Sequence, residues 1–396
     1  MSLKLDFPAI QTHLTSEEIA QLAEAIARAQ TLTMGPYLQE FERNFAEYIG
    51  SRYAFGVCNA TAALDLAAMI LDIGPGDEVF LPAHTFTATA LGFMRKGCRL
   101  VFADIDPETF VMDVDDVVRK ITPKTRVVVP VHLYGLPVQM DPLMEAAEQH
   151  NLYVVEDCAQ APGAKYKGKT VGTFGDFGCF SFHSQKNITT LGEGGMIVTN
   201  NADYAEKILG LRKIGQRPFT NQTDYWIPAM TNIIEAVPGV LPHNYALGEI
   251  QAFAGNLLLK RLDEQLSRRL QIRNRIVDSL THHPELIFQK IPSECVSALH
   301  LLPAKVSKLA NGAGRDELIR LLYNKYKIKC VVQYYPLYRY ELFQRHGYVS
   351  ADCPQSDEFF NNMISFPFGG DMTDEEVDYL IASVDAALNE LKGKAQ

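Results

Sequence analysis

Between residues 50 and 213, short apolar runs rich in β-branched and aromatic residues alternate with stretches of helical period. This alternation predicts strands joined by helical crossovers, which form a mainly parallel sheet covered by helices on both faces. The predicted strands are Tyr53–Val57, Glu78–Leu81, Arg99–Ala103, Thr125–Val131, Leu152–Glu156, Phe177–Ser181 and Gly195–Thr199, and the predicted helices are Ala62–Asp72, Ala88–Lys96, Val114–Lys120, Met140–His150 and Ala202–Lys213. We therefore predict an α/β fold whose large domain is built on a seven-stranded sheet.

A smaller α+β domain is predicted downstream. A long helical stretch runs from about Gly248 to Leu280, and a closing helix is predicted from Thr373 to Leu391. We place the large domain at residues 1–247 and the small domain, including the linking helix, at residues 248–396. The helix that follows the capping-box pattern of residues 15–18 is a candidate for packing on the small domain.

The linking helix carries five arginines, for which two interpretations stay open. They form either an anion-binding face or a solvated face with ion pairs, and the second is the commoner situation. The five are Arg261, Arg268, Arg269, Arg273 and Arg275.

Composition excludes several classes of partner. The 396 residues include 37 basic and 47 acidic side chains, for a formal charge of −10, which argues against nucleic-acid and anionic membrane partners. No charge-free apolar run approaches the ~20 residues that span a bilayer. Met1 to Asp6 lacks the apolar core of a signal peptide, and the seven cysteines contain no CxxC pair. We expect a cytoplasmic protein with reduced thiols.

One segment matches a phosphate-binding pattern. Residues 163–170 fit the P-loop pattern GxxxxGKT, which would make the chain a nucleotide-binding kinase that depends on Lys169. That motif requires a strand leading directly into the loop and a helix beginning at its end. Here Val171 to Gly175 starts a helix poorly, and residues 166–169 are more typical of a hairpin turn. The hairpin is the favoured interpretation.

Two charged residues follow buried strands at the sheet edge where open α/β folds bind ligands. Asp157 ends the run Val154-Val155-Glu156-Asp157, and the Pro and Gly that follow disfavour a helix-capping role. Lys186 follows the strand that ends at Ser181. In such a cleft, desolvation lowers the pKa of a lysine, as a Schiff-base lysine requires. The histidines and cysteines have no metal-ligand spacing, so no metal is expected.

Several segments together resemble the DegT/StrS-type sugar aminotransferases, which are pyridoxal-phosphate enzymes of fold type I. The resemblance covers about residues 30 to 390, with the segments in the family's order and spacing. The matching segments are Asp157-x-x-Gln160, Ser181 to Thr190, Gly192 to Gly195, Gly35-Pro36 with Phe41-Glu42, Asn59 to Leu64, Gly76 to Val79, Pro82 to Thr89, His243 to Tyr245 and Gln251-Ala252.

The resemblance implies a role for each matching residue. Lys186 corresponds to the lysine that forms a Schiff base with the cofactor and then moves the proton. Asp157 would keep the pyridine nitrogen protonated, Phe86 would stack on the ring, and Gln160 would lie against its other face or its phenolic oxygen. The phosphate would be bound by Ala60, Thr61 and Ser181. Asn244 would reach it from the neighbouring subunit, which implies a homodimer.

The family also implies the reaction. Glutamate is the expected amino donor, pyridoxamine phosphate is the intermediate form of the cofactor, and a keto- or aldehydo-sugar is the acceptor. A nucleotide-linked sugar is the commonest acceptor in the family. Departures at Ala246, Ile214 and residues 333–338 keep a free sugar acid open, for example an 8-oxo-octulosonate. Amino-sugar dehydratases of the family have His where Lys186 stands, so a dehydratase is the less favoured alternative.

Overall fold

The computed structural model describes residues 3–219, 224, 226, 231–309 and 311–393. The outermost residues of the two predicted domains, 1–2 and 394–396, therefore lie outside the described part of the chain. The boundary predicted between residues 247 and 248 stays a prediction.

Helices account for much of the described chain. The α-helices are α1 Ser16–Arg28, α2 Pro36–Ile49, α3 Ala60–Ile70, α4 Ala88–Arg95, α5 Val114–Lys120, α6 Met140–His150, α7 Ala202–Leu211, α8 Glu249–Leu259, α9 Leu262–Leu280, α10 Arg315–Asn324, α11 Glu341–Arg345, α12 Pro354–Asn362 and α13 Asp374–Gly393. Short 3₁₀ turns occupy Leu133–Gly135 and Leu337–Arg339.

Strands form one large and several small sheets. They are β1 Tyr53–Val57, β2 Glu78–Pro82, β3 Arg99–Ala103, β4 Thr125–Val128, β5 Tyr153–Asp157, β6 Lys165–Tyr166, β7 Lys169–Thr170, β8 Phe177–Ser181, β9 Gly195–Thr199, β10 Gln216–Arg217, β11 Asn232–Ile233, β12 Leu286–Phe288, β13 Cys295–Val296, β14 Leu302–Val306 and β15 Met363–Phe366.

The large sheet has seven strands in the order β1-β9-β8-β5-β4-β2-β3. Strand β9 is antiparallel to β1 and β8, and the other neighbouring pairs are parallel. The prediction of a mainly parallel seven-stranded sheet is confirmed. Because β8 and β9 are antiparallel neighbours, the segment between them begins and ends on the same side of the sheet, at the carboxyl end of β8. This segment carries Lys186.

Both faces of this sheet are buried, as the apolar strands require. Alternate residues of a strand belong to different cores: Val155 packs in one cluster with α3, α4 and α7, whereas Val154 packs in another with α5 and α6. Beside the second cluster, Phe180 and Met196 pack against α2 and α8. These layers hold the carboxyl ends of β5 and β8 in place.

The linking helix is interrupted, contrary to the single helix predicted from Gly248 to Leu280. Helix α8 ends at Leu259 and α9 begins at Leu262, with Arg261 in a non-helical conformation between them. Helix α8 packs against α2, whereas α9 packs against α13. The guanidinium of Arg261 also binds the carboxylate of Glu18 on α1. The two helices therefore pack against different parts of the molecule.

The five arginines of this region do not share one environment. Arg261, Arg268 and Arg275 form ion pairs, as the favoured interpretation requires. Arg269 departs from it, because its side chain is completely buried. The C-terminal core beneath α9 consists of β12, β14 and β15 with α10 and α13.

The N-terminal segment joins distant parts of the chain. Leu5 pairs in parallel with Ile328, and the N–H of Lys329 donates to the carbonyl of Leu5 at 3.0 Å. Further along, the N–H of Gln11 donates to the carbonyl of Ser184 at 3.2 Å. This segment therefore connects the C-terminal core to the loop that follows β8.

Residues 163–170 form a hairpin and not a P-loop. Strands β6 and β7 are antiparallel, and the turn between them has positive φ angles of 47° at Lys167 and 81° at Gly168. No helix begins at Lys169, so the N–H array that cradles a phosphate is not built there. No helix of the described chain combines the length and apolar character of a membrane span.

Candidate active site

A cavity of about 400 Å³ lies at the carboxyl ends of β5 and β8. Seven of the eight predicted site residues line it. They are Ala60, Thr61, Phe86, Asp157, Gln160, Ser181 and Lys186. Asn244 is not among the lining residues. The parallel strands bring these side chains together from distant points of the sequence, as the fold class predicts.

Lys186 is the only lysine that lines this cavity within the described chain. Its side chain is half-buried. Burial lowers the pKa of Lys186 to about 8, against an opposing effect of the Asp157 charge. A substantial fraction of the amine is therefore neutral near physiological pH, which makes it a nucleophile and a base.

Asp157 is held at the end of β5 by two donors. Its Oδ2 accepts from the hydroxyl of Thr89 at 2.7 Å, and its Oδ1 accepts from the N–H of Ala159 at 3.1 Å. Burial raises the pKa of Asp157, whereas these two hydrogen bonds and the charge of Lys186 act in the opposite direction. A cationic partner in the cavity would favour the carboxylate form further.

Gln160 is fixed at both ends of its amide. The N–H of Tyr134 donates to its Oε1 at 2.7 Å, and its Nε2 donates to the hydroxyl of Tyr334 at 2.8 Å. Tyr334 also lines the cavity, and its ring lies edge-on to Phe86 with 6.3 Å between centroids. Phe86 is 57% exposed, so it presents an apolar face to the cavity.

The N-terminus of α3 supplies an anion-binding end. Ala60 and Thr61 occupy its first turn, where N–H groups have no acceptor within the helix. The side chain of Asn59 accepts from the N–H of Ala62, so the N–H groups of Ala60 and Thr61 are not bound by this cap. Gly195 permits the close approach of β9, because a Cβ there would lie 2.5 Å from the carbonyl carbon of Asn59. Ser181 adds a hydroxyl from the end of β8.

This set of donors fits pyridoxal phosphate. An amine of lowered pKa suits its aldehyde, a buried carboxylate suits its protonated ring nitrogen, and free helix N–H groups with a hydroxyl suit its phosphate. The apolar face of Phe86 suits its ring. The residues predicted to hold the cofactor are therefore chemically matched to it.

Asn244 lies outside this cavity. Its side chain is exposed, and its Oδ1 accepts only a long hydrogen bond of 3.4 Å from the N–H of Ala246. Within its own chain it is therefore not placed to bind the phosphate, and the predicted role across a subunit interface stays a prediction.

Several residues of the site have no role in the prediction from sequence. Thr89 was part of a matching segment but had no assigned role, and Tyr334 lay in a segment noted only for its departures. Gln11 and His300 also line the cavity. Gln11 had no sequence signal, because it reaches the cavity through long-range contacts of the N-terminal segment.

A cluster behind the site has the composition of a metal centre. Atoms of His132, Glu156 and Cys158 lie within 4.8 Å of one another. His132 Nδ1 accepts from the N–H of Val138, and its Nε2 lies 3.2 Å from Glu156. Glu156 also accepts from three main-chain N–H groups, those of Gly172, Phe174 and Gly175. These contacts satisfy the His–Glu pair as a support for β5.

Comparisons with known proteins identify a family for this chain. The family model described as the DegT/DnrJ/EryC1/StrS aminotransferase family matches residues 13–385. The chain is 34% identical over 374 residues to the spore coat polysaccharide biosynthesis protein SpsC of Bacillus subtilis, with 93% of each chain covered. It is 33% identical over 389 residues to the GDP-perosamine synthase of Caulobacter vibrioides, with 97% of this chain and 99% of the relative covered.

Solved structures give the same picture. The aminotransferase from Psychrobacter cryohalolentis matches with a TM-score of 0.88 at 28% identity, covering 96% of this chain and 98% of that chain.

Proposed function

Because the chain belongs to the DegT/DnrJ/EryC1/StrS aminotransferase family, we propose that it transfers the amino group of glutamate to the carbonyl carbon of a keto- or aldehydo-sugar. The family is one of pyridoxal-phosphate-dependent sugar aminotransferases, and the chain is an enzyme of this kind. The observation that carries the proposal is the position of Lys186 and Asp157 on one cavity that also contains the N-terminus of α3.

Bound pyridoxal phosphate supplies the electron sink that stabilises negative charge on the carbon being deprotonated. Asp157 would pair with the protonated ring nitrogen and so favour that function. Thr89 and the N–H of Ala159 stabilise the carboxylate against the cost of its burial. Ala60, Thr61 and Ser181 would bind the phosphate, and Phe86 would pack on the ring.

Lys186 has two tasks in this proposal. Its amine would hold the aldehyde of the cofactor until the amino donor displaces it. The released neutral amine would then be the base that takes the proton from the donor carbon, and it would return a proton when the sugar carbonyl is aminated. The lowered pKa of Lys186 supports both tasks, because neither is possible for an ammonium group.

The acceptor is either a nucleotide-linked sugar or a free sugar acid such as an 8-oxo-octulosonate. The similarity to a GDP-perosamine synthase supports the first, and the similarity to a spore coat polysaccharide biosynthesis protein supports a role in making cell-surface polysaccharide or lipopolysaccharide. A dehydratase is less favoured because Lys186 is present. The cytoplasmic location stays a prediction.

We further propose a homodimer in which Asn244 completes the phosphate site of the partner. The exposure of Asn244 and its position outside its own cavity support this arrangement.

The reaction is tested in two halves. The purified protein with bound pyridoxal phosphate is mixed with glutamate, and loss of its visible absorbance with formation of 2-oxoglutarate is expected. GDP-, dTDP- and UDP-linked keto-sugars and 8-oxo-octulosonate are then added separately, and a productive acceptor restores the absorbance. The control is Lys186→Ala, which should bind the cofactor without turnover. No response of the wild type to glutamate would contradict the proposed donor.

A further inference from the structure

Two glutamines that line the cavity each have a buried polar atom without a hydrogen-bond partner among the described residues. The atoms are Nε2 of Gln11 and Oε1 of Gln333. A buried polar group without a partner is costly, and its presence at a cavity wall indicates a partner on the ligand. Neither residue has a role in the cofactor site.

The orientation of the Gln11 amide is fixed by Arg269. The guanidinium donates from Nη2 to Oε1 of Gln11 at 2.8 Å. Because a guanidinium has no acceptor, the oxygen of the amide must face it, and the amide nitrogen is left as the free group. Gln11 is only 2% exposed. Gln11 therefore lines the cavity with an amide whose nitrogen is the donor without a partner among the described residues.

Arg269 strengthens that donor. Apart from the bond to the Gln11 side chain, the described hydrogen bonds of its guanidinium go to main-chain carbonyls, including that of Leu299 at 3.1 Å. Burial lowers the pKa of Arg269 to about 10, so the group is still a cation at neutral pH. A cation bonded to the amide oxygen polarises the amide and makes its N–H groups stronger donors.

The main chain places Gln11 beside the Lys186 loop independently of its side chain. The N–H of Gln11 donates to the carbonyl of Ser184, and the hydroxyl of Thr12 donates to the carbonyl of Asn187 at 2.7 Å. These contacts lie on either side of Lys186 in the sequence. A change of the Gln11 side chain leaves them intact.

Gln333 is fixed through its main chain as well. Its carbonyl accepts from the hydroxyl of Tyr134 at 2.7 Å, and its N–H donates to the sulfur of Met363 at 3.1 Å. Neither contact uses the side-chain amide, whose Oε1 has no partner among the described residues.

We propose that Gln11 and Gln333 determine specificity by binding hydroxyl groups of the sugar acceptor, with Gln11 as donor and Gln333 as acceptor. This inference rests on the proposed function. Hydroxyl groups suit the pair because each accepts one hydrogen bond and donates another. A carboxylate could accept from Gln11. It has no hydrogen to donate, however, so it could not pair with the oxygen of Gln333.

The test compares the two half-reactions in Gln11→Leu, Gln11→Glu and Gln333→Leu. The first and third remove the polar group, and Gln11→Glu keeps a partner for Arg269 while removing the donor, which guards against a folding defect. The matched control is Gln265→Leu. Gln265 is also a buried glutamine with an unpaired atom, one turn before Arg269, but it does not line the cavity.

For the acceptor processed by the wild type, we expect each Gln11 or Gln333 variant to raise KM or lower kcat/KM roughly 10-fold. The glutamate half-reaction should stay within about twofold, as should both half-reactions of Gln265→Leu. Equal losses in both half-reactions, or no loss in either, would overturn the specificity role alone. A wild type that reacts with glutamate but with none of the acceptors named above would overturn the proposed acceptor class as well.

Discussion

The hydroxyl of Thr89 donates a hydrogen bond to Oδ2 of Asp157 across 2.7 Å. Thr89 lies in the first turn of α4, and its Oγ1 is also 3.1 Å from the hydroxyl of Thr85. With its own proton directed at Asp157, Thr89 accepts from Thr85. A short relay of hydroxyl groups therefore stabilises a carboxylate whose burial favours its neutral form.

Thr89→Val should lower the catalytic activity, although Thr89 does not contact the substrate. Valine has nearly the same shape but cannot donate, so the pKa of Asp157 should rise further and its pairing with the ring nitrogen should weaken. We expect kcat to fall roughly 10-fold. The pH profile of kcat should also shift upward on its acid side. Thr89→Ser should retain the wild-type profile, and a profile unchanged in Thr89→Val would contradict the role.

The lowered pKa of Lys186 should be visible in cofactor-free protein. The rate of covalent capture of pyridoxal phosphate should rise with pH and level off above about 8, since the neutral amine is the reactive form. An ordinary lysine would still be gaining reactivity up to a pH of about 10.4. Stopped-flow absorbance measures this profile, and a midpoint near that of free lysine would show that the cavity does not perturb the amine.

The same shift predicts the pH dependence of stability. Between pH 8 and 10.5 the unfolded chain binds a proton at Lys186 that the folded chain has released, so the free energy of unfolding should rise with pH from this group. Lys186→Met removes the contribution. Urea unfolding measures the free energy of unfolding of wild type and variant across this pH range. The difference, wild type minus variant, should rise with pH, and a difference that falls with pH would contradict the shift.

Subunit mixing tests the position of Asn244. If each site takes Lys186 from one subunit and Asn244 from the other, a hybrid of one Lys186→Ala subunit and one Asn244→Ala subunit has two different sites. One site then carries both substitutions, and the other carries neither. Random mixing of equal amounts should then recover roughly a quarter of the wild-type activity. The control hybrid pairs Lys186→Ala with Asp157→Ala, where both residues line one cavity, and no recovery is expected. Equal outcomes in the two mixtures would place Asn244 in its own subunit's site.

Removing the side chain of Glu249 should destabilise the protein, because this residue of α8 caps the N-terminus of α2. It is fully buried and accepts from the N–H groups of Gly35, Tyr37 and Leu38 at 2.7, 2.9 and 3.1 Å. Glu249→Ala leaves three donors without an acceptor, and we expect the free energy of unfolding to fall by about 3 kcal/mol or more. Denaturant unfolding measures the loss, and Glu264→Ala, at an exposed position of α9, should change it little.

The sheet was predictable because its strands are short apolar runs, as expected for strands that are buried on both faces. The run Phe177–Ser181 is an example. Asp157 and Lys186 were predictable because each follows such a run. The break at Arg261 was not, since the local pattern continues through it, and the contact of Arg261 with Glu18 is distant in the sequence. Gln11 was equally hidden, because Arg269 lies 258 positions away in the sequence.

The N-terminal segment also has a consequence for the order of events during synthesis. Leu5 cannot pair with Ile328, and Gln11 cannot meet Arg269, until those later residues have left the ribosome. At about 5 to 20 residues per second, the first dozen residues wait on the order of tens of seconds for their partners. The wall of the cavity formed by the earliest residues is therefore among the last parts of the active site to be put in place.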